Sequence, residues 1–122
     1  KEKAALIKKD LKQKIIKING VNFLGEKVML NTASIKDVLF QFKGEQENIV
    51  GILTNAEQNK CGISVILSEN LIEDKNLNAS KIIKEISHHI RGGGGGQAFF
   101  ATAGGKDQNG IATAIEEVKA ML

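Results

Sequence analysis

The sequence predicts a layered α/β domain, with α+β as the alternative: a small mixed β-sheet covered by helices, led by an N-terminal helix that continues from an absent upstream region. Three observations carry this. Apolar residues recur at steps of three and four in four separate stretches, and short alternating or continuously apolar runs lie between them. The length of 122 residues suits one modest core and is too small for two. The 42% hydrophobic content supports a globular chain, and without any proline, glycine is the only strong punctuator.

From the N-terminus, Ala4, Ile7, Leu11, Ile15 and Ile18 form the stripe of a helix over residues 4–18. Asn19-Gly20 ends it, since both tolerate the left-handed conformation past a helix C-terminus. Val21 to Asn31, around Gly25, reads as one bent strand or two short ones. Ser34 stands as an N-cap with Asp37 three residues on. Ile35, Val38, Leu39 and Phe42 then follow on one helix face, with Gly44 past the end.

Ile49 to Thr54 is the near-continuous apolar run of a strand buried on both faces. After a turn-like Asn55 to Lys60, Cys61, Ile63, Val65 and Leu67 alternate with Gly62, Ser64 and Ser68, which gives a hairpin. From Ser80 a helix buries Ile82, Ile83, Ile86 and Ile90, with Arg91 in its last turn and Gly92 as its stop. Gln97 to Ala103 reads as a strand, and Gly104-Gly105 turn the chain into a last helix. That helix is capped by Asn109 and striped by Ile111, Ala114, Ile115, Val118 and Leu122.

The stretch richest in information is the run of five glycines, Gly92, Gly93, Gly94, Gly95 and Gly96. Each glycine in an ordered element costs roughly 0.5–1 kcal/mol relative to alanine, a burden that a mere connector would not need. Only 26 residues follow, too few for a separate domain, so the run is not a linker between two folded units. It reads as a glycine-rich loop whose bare backbone suits a phosphate, a nucleic-acid backbone or a tightly packed neighbouring element. A disordered surface loop is the alternative.

Net charge is only +3, but residues 1–18 hold seven lysines against Glu2 and Asp10, so the rest of the chain is slightly acidic. Any attraction for a polyanion is therefore concentrated at Lys8, Lys9, Lys12 and Lys14 of the first helix, which equally suit a solvated face. Five Phe, with no Trp or Tyr, argue against stacking on a row of exposed aromatic rings as the main mode of RNA contact. The single cysteine, Cys61, excludes an internal disulfide, suits a reducing cytosol and reads as a buried strand residue. No stretch is apolar enough to span a bilayer, and a cytoplasmic location is expected. The chain opens on Lys, already in helical periodicity, the pattern of a piece of a longer polypeptide.

No catalytic centre and no metal site is expected. His88-His89 lack convergent partners at metal-ligand spacing, and adjacent helical residues point about 100° apart, one inward and one outward. The glycine run lacks the Gly-Lys-Ser/Thr ending of a phosphate loop and precedes a strand. Gly104-Gly105 at a strand-to-helix turn, with Arg91 and Lys106 on either side of the glycines, outlines a backbone-lined anion site instead. The chain thus argues for binding more than for catalysis.

Residues 90–105, Ile-Arg-Gly-Gly-Gly-Gly-Gly-Gln-Ala-Phe-Phe-Ala-Thr-Ala-Gly-Gly, resemble the carboxy-terminal domain of bacterial alanyl-tRNA synthetases, which closes with a glycine run, an Ala-x-Ala-Gly-Gly segment and a final helix. Ala101 to Gly105 match that segment. The Asn19-Gly20-Val21 start and the element order extend the resemblance over the chain. It is similar to the DHH-associated domain appended to phosphoesterases. Gln97-Ala98 stand where the family often has Arg-Pro, and Thr102 where it often has Gln.

The resemblance implies a division into residues 1–18, the end of a helical segment able to mediate dimerisation, and a globular domain over 19–122. It implies a tRNA-binding accessory module that engages the outer corner of tRNA(Ala) and supports aminoacylation and editing by upstream domains of the same chain. ATP with Mg and the editing zinc would belong to those domains, with no cofactor here. Gly92 to Gly96, Gly104, Gly105, Arg91, Lys106 and the four lysines of the first helix would then lie near the RNA. Two other readings stay open: the substrate-binding half of a DHH-type phosphoesterase, and a dimerisation or structural module that makes a homodimer through the first helix.

Overall fold

A computed structural model describes residues 2–58 and 60–122. The elements are α1 (Glu2–Lys12), β1 (Ile16–Ile18), β2 (Val21–Lys27), α2 (Thr32–Glu45), β3 (Ile49–Glu57), β4 (Lys60–Leu67), α3 (Glu69–Asp74), α4 (Ala79–Ile86), β5 (Gly93–Gly96), β6 (Phe100–Gly105) and α5 (Ile111–Ala120). Short 3-10 turns over Ser87–Ile90 and Gln108–Gly110 follow α4 and precede α5. The strands form one six-stranded sheet in the order β1-β2-β3-β4-β6-β5. β2 and β3 are parallel and every other pair is antiparallel, so the sheet is mixed, as expected. The parallel pair needs a crossover, which α2 supplies.

Side-chain alternation along β3 and β4 divides the core in two. Val50, Ile52, Ile63 and Val65 meet α4 and α5 through Ile83, Ile86, Ala114 and Val118. On the opposite face, Leu53 and Ile66 meet α1 and α2 through Leu11, Ile35, Leu39 and Phe42. The expected stripe of α2 is buried in full. Its cap lies three residues earlier than expected: the Asn31 side chain accepts from Ser34 N at 2.8 Å, and Gly44 lies inside the helix. The short α3, which has too few residues to show a period, was not foreseen.

The first helix is shorter than its stripe suggested. It ends at Lys12, and Ile16–Ile18 form an edge strand paired with β2. Ile15 packs on the α2 side of the sheet and Ile18 on the α5 side, an opposition that a helix face could not produce. Asn19 and Gly20, at φ 51° and 83°, make the two-residue turn of this hairpin rather than a helix stop. Leu11, 1% exposed, roots α1 in the same core as α2.

A second correction concerns the glycines. The run is strand β5, at the edge of the sheet, and not a loop. Arg91, not Gly92, takes the left-handed position after α4 and its 3-10 turn, at φ 52°. Gly104 and Gly105 belong to β6 rather than to a turn, and Lys106 to Gly110 separate them from α5. The turn there is capped by the Asp107 side chain, which accepts from Asn109 N, so the expected Asn109 cap is displaced by two residues.

Candidate nucleic-acid interface

The ladder between β5 and β6 pairs Gly93 with Gly104, Gly94 with Ala103, Gly95 with Thr102 and Gly96 with Ala101. Its members alternate in what surrounds them. A Cβ on Gly92, Gly94 or Gly96 would stand 1.9, 2.0 or 2.5 Å from the carbonyl oxygens of Gly104, Thr102 and Phe100. A Cβ on Gly93 or Gly95 would meet nothing within 4 Å. Three of the five glycines therefore admit a neighbouring strand at backbone contact, and the other two face open space.

That open side continues across the sheet. Gly95 lies opposite Thr102, Thr102 opposite Ser64, and Gly93 opposite Gly104, Gly104 opposite Gly62. Directly paired residues share a face, so these six make a floor of small side chains on the α2 side of the sheet. α2 lies over β3 and β4, where it buries Ile66, and leaves the β6–β5 part of this face open. Thr32, Lys36 and Phe40, at steps of four along α2, form its wall. Two adjoining depressions of about 360 and 280 Å³ share Thr102. Asn55, Glu57 and Lys60 border the first, and Gln97, Phe99 and Phe100 border the second.

The second depression gathers three of the five phenylalanines. Phe40 and Phe100 have ring centroids 5.2 Å apart, and Phe40 and Phe99 meet edge to face at 6.2 Å. Lys36 Nζ stands 5.9 Å from the Phe40 centroid and 5.8 Å from that of Phe100, while Lys43 Nζ is 5.2 Å from Phe99. None of this was read from the sequence. The available signals were the adjacent Phe99-Phe100 and a phenylalanine at position 40, outside the buried stripe of its helix.

The expected site residues are not brought together. Lys8, Lys9 and Lys12 lie on α1 and Lys14 in the turn that follows it; α1 packs against α2 on the flank opposite the floor, through Ala4, Ala5 and Lys8 beside Ser34, Asp37 and Gln41. Four strand spacings, roughly 19 Å at ~4.8 Å each, separate β2 from β5. Two of these lysines are engaged already: Lys8 with Glu45 at 2.6 Å, and Lys14 with Asp10 and Glu26 at 3.2 and 3.5 Å. The hydrogen bond to Asp10, with Glu26 beside it, holds the Lys14 pKa above its ordinary value. Lys9 and Lys12 are exposed.

Arg91 and Lys106 are drawn together at the glycine end of the floor, because the amides of Lys106 and Asp107 both donate to the carbonyl of Ile90, at 2.8 and 2.9 Å. Asp107 stands 3.9 Å from Arg91 Nε and offsets part of that charge. An anion site at the start of α5 formed by Gly104-Gly105 is therefore not present, since both residues are paired in strands.

His88 is exposed and His89 half-buried, as their adjacency implied. His89 Nε2 lies 2.6 Å from Glu117 Oε1, a link between the end of α4 and α5. Among the described residues no three His, Cys, Asp or Glu side chains are grouped to hold a metal ion, and no helix is long and apolar enough to cross a membrane. Cys61 is buried, and that burial raises its thiol pKa.

The alanine--tRNA ligase of Christiangramia forsetii is 46% identical over 100% of this chain, and that of Cytophaga hutchinsonii 38% identical over 99%. The chain spans only 14% of the length of each of these curated relatives. Among solved structures, the C-Ala domain of Aquifex aeolicus alanyl-tRNA synthetase matches with a TM-score of 0.78 at 18% identity, covering 88% of this chain and 96% of that one. A DHH-domain member of the s1p family of ribosomal proteins matches with a TM-score of 0.63 at 14% identity, over 97% of this chain and 30% of that one. The family model described as DHHA1 domain matches residues 20–122, from the Gly20 turn to the last residue, and the chain belongs to that family.

Proposed function

We propose that this chain is a tRNA-binding accessory domain of an alanyl-tRNA synthetase. It would engage the outer corner of tRNA(Ala) and support aminoacylation and editing carried out by other domains of a longer polypeptide. The observation that carries this reading is identity of 46% along the whole chain to a segment of an alanine--tRNA ligase. A floor without bulky side chains and a lysine-bearing helical wall support a binding surface.

On this reading the exposed backbone of Gly93 and Gly104 and the half-buried Gly95 admit the sugar-phosphate chain closely, and Arg91 and Lys106 lie at the end where it leaves the floor. Lys9 and Lys12, across α2, would contribute long-range attraction rather than direct interactions at the same site.

The test is binding of the 122-residue chain to an alanine tRNA transcript at low and at moderate salt, with an acceptor-stem minihelix lacking the outer corner as control. Salt-sensitive binding to the full tRNA and not to the minihelix is the expected result. Equal or absent binding to both would overturn it and move the role to a scaffold or to pairing of chains, for which the exposed Leu6 and Met29 beside α1 offer apolar surface.

A further inference from the structure

We propose that Phe40, Phe99 and Phe100 form a stacking platform for one unpaired base of the bound RNA, with Lys36 and Lys43 turning from the ring faces to the phosphates beside it. The proposal rests on the RNA-binding reading above and names a subsite within it. α2 buries Ile35, Val38, Leu39 and Phe42, so its packing does not call for Phe40, which remains 37% exposed. The ring instead closes the end of the small-residue floor, where Phe99 and Phe100 arrive from the β5–β6 turn.

The surroundings identify the occupant by its charge. Three ring faces carry a lysine ammonium, and such interactions are weak at exposed sites. A nucleobase replaces an ammonium with a flat π surface and supplies, on the same molecule, the anion to which that ammonium can move. Lys36 makes no ion pair among the described residues, and Asp37, its neighbour in sequence, faces α1. Among the described residues Lys43 pairs only with the exposed carboxylate of Glu69, at 3.1 Å. An acidic peptide would satisfy the lysines and leave the rings unused. One base, rather than a row, fits a single cluster at the end of a floor that has no other aromatic ring.

The chain contains no tryptophan, so Phe40→Trp places a sole fluorophore on the platform. Titration with the alanine tRNA transcript should quench it, saturating together with binding measured by anisotropy of labelled RNA. Phe40→Ala and Phe40→Leu, the latter keeping apolar bulk without a π face, should each weaken binding by about 5- to 150-fold, the range for loss of one stacked base, with the salt dependence unchanged. Far-UV circular dichroism identifies a variant that fails to fold, and Phe40→Leu then serves alone.

Tight parental binding with no quench in Phe40→Trp, or with undiminished affinity in Phe40→Leu, overturns the platform while leaving the RNA-binding function standing. If the parent binds no tRNA, that function fails, and oligoadenylate becomes the probe. Quenching of Phe40→Trp by it supports the platform, and no quenching overturns it.

Discussion

Gly94 lies against the backbone of Thr102 so closely that a Cβ would stand 2.0 Å from its carbonyl oxygen, whereas Gly95, one residue on, has nothing within 4 Å of the same position. The two residues are chemically identical and structurally opposite. Gly94→Ala should lower stability by about 1–3 kcal/mol, the range for forced overpacking. Gly95→Ala should leave it unchanged or raise it by about 0.4–1 kcal/mol through the unfolded chain. Urea unfolding of both variants checks this, and equal loss in the two would mean that the run is not strand β5.

Charge on the two flanks of α2 should behave differently in RNA binding. Arg91→Ala with Lys106→Ala should reduce the slope of log K against log salt by about 0.7–0.9 for each phosphate that is no longer neutralised. Lys14→Ala should leave the slope as it is, since that ammonium is already held by Asp10 and Glu26. Binding at several salt concentrations separates these outcomes.

The start of α2 gives a check on local structure. Asn31→Ala removes the side chain that accepts from Ser34 N and should cost ~1 kcal/mol. Ser34→Ala should cost less than Asn31→Ala. The reverse order in thermal unfolding would return the cap to Ser34.

Cys61 supplies a pH dependence. Burial raises its folded-state pKa, so the folded chain holds the thiol proton more tightly than the unfolded chain does. The resulting stability is present below the ordinary thiol range and is lost as pH rises through the folded value. Urea midpoints measured between about pH 8 and 10 should therefore fall more steeply in the parent than in Cys61→Ala.

β4 and α2 were legible in the sequence because each pairs a buried face with a distinct period, as in Cys61, Ile63, Val65 and Leu67, and β3 because its apolar run is continuous and buried on both faces. Ile15 and Ile18 misled because a step of three fits a helix face and also fits two residues of an extended segment on opposite sides of the sheet. The glycine strand could not be read as a strand, since residues without side chains have no hydrophobic period at all. Of the candidate site, the glycines and the Arg91–Lys106 pair were visible as residue types. The floor was not, because its register depends on pairings between β4, β5 and β6, and the aromatic cluster joins residues 40 and 99–100, which no local pattern connects.

Strand β5 carries no marks by which its own alignment could be recognised, so its phase is imposed from outside. Arg91 fixes where the strand begins, and the amide of Gln97, donating to Phe100 O at 2.8 Å, fixes where it turns. The count of glycines between those two anchors decides which positions press on the neighbouring carbonyls and which look onto the open floor. A single inserted glycine would exchange the two sets without changing the chemistry of the strand. The run behaves as a ruler whose length, rather than whose composition, carries the information.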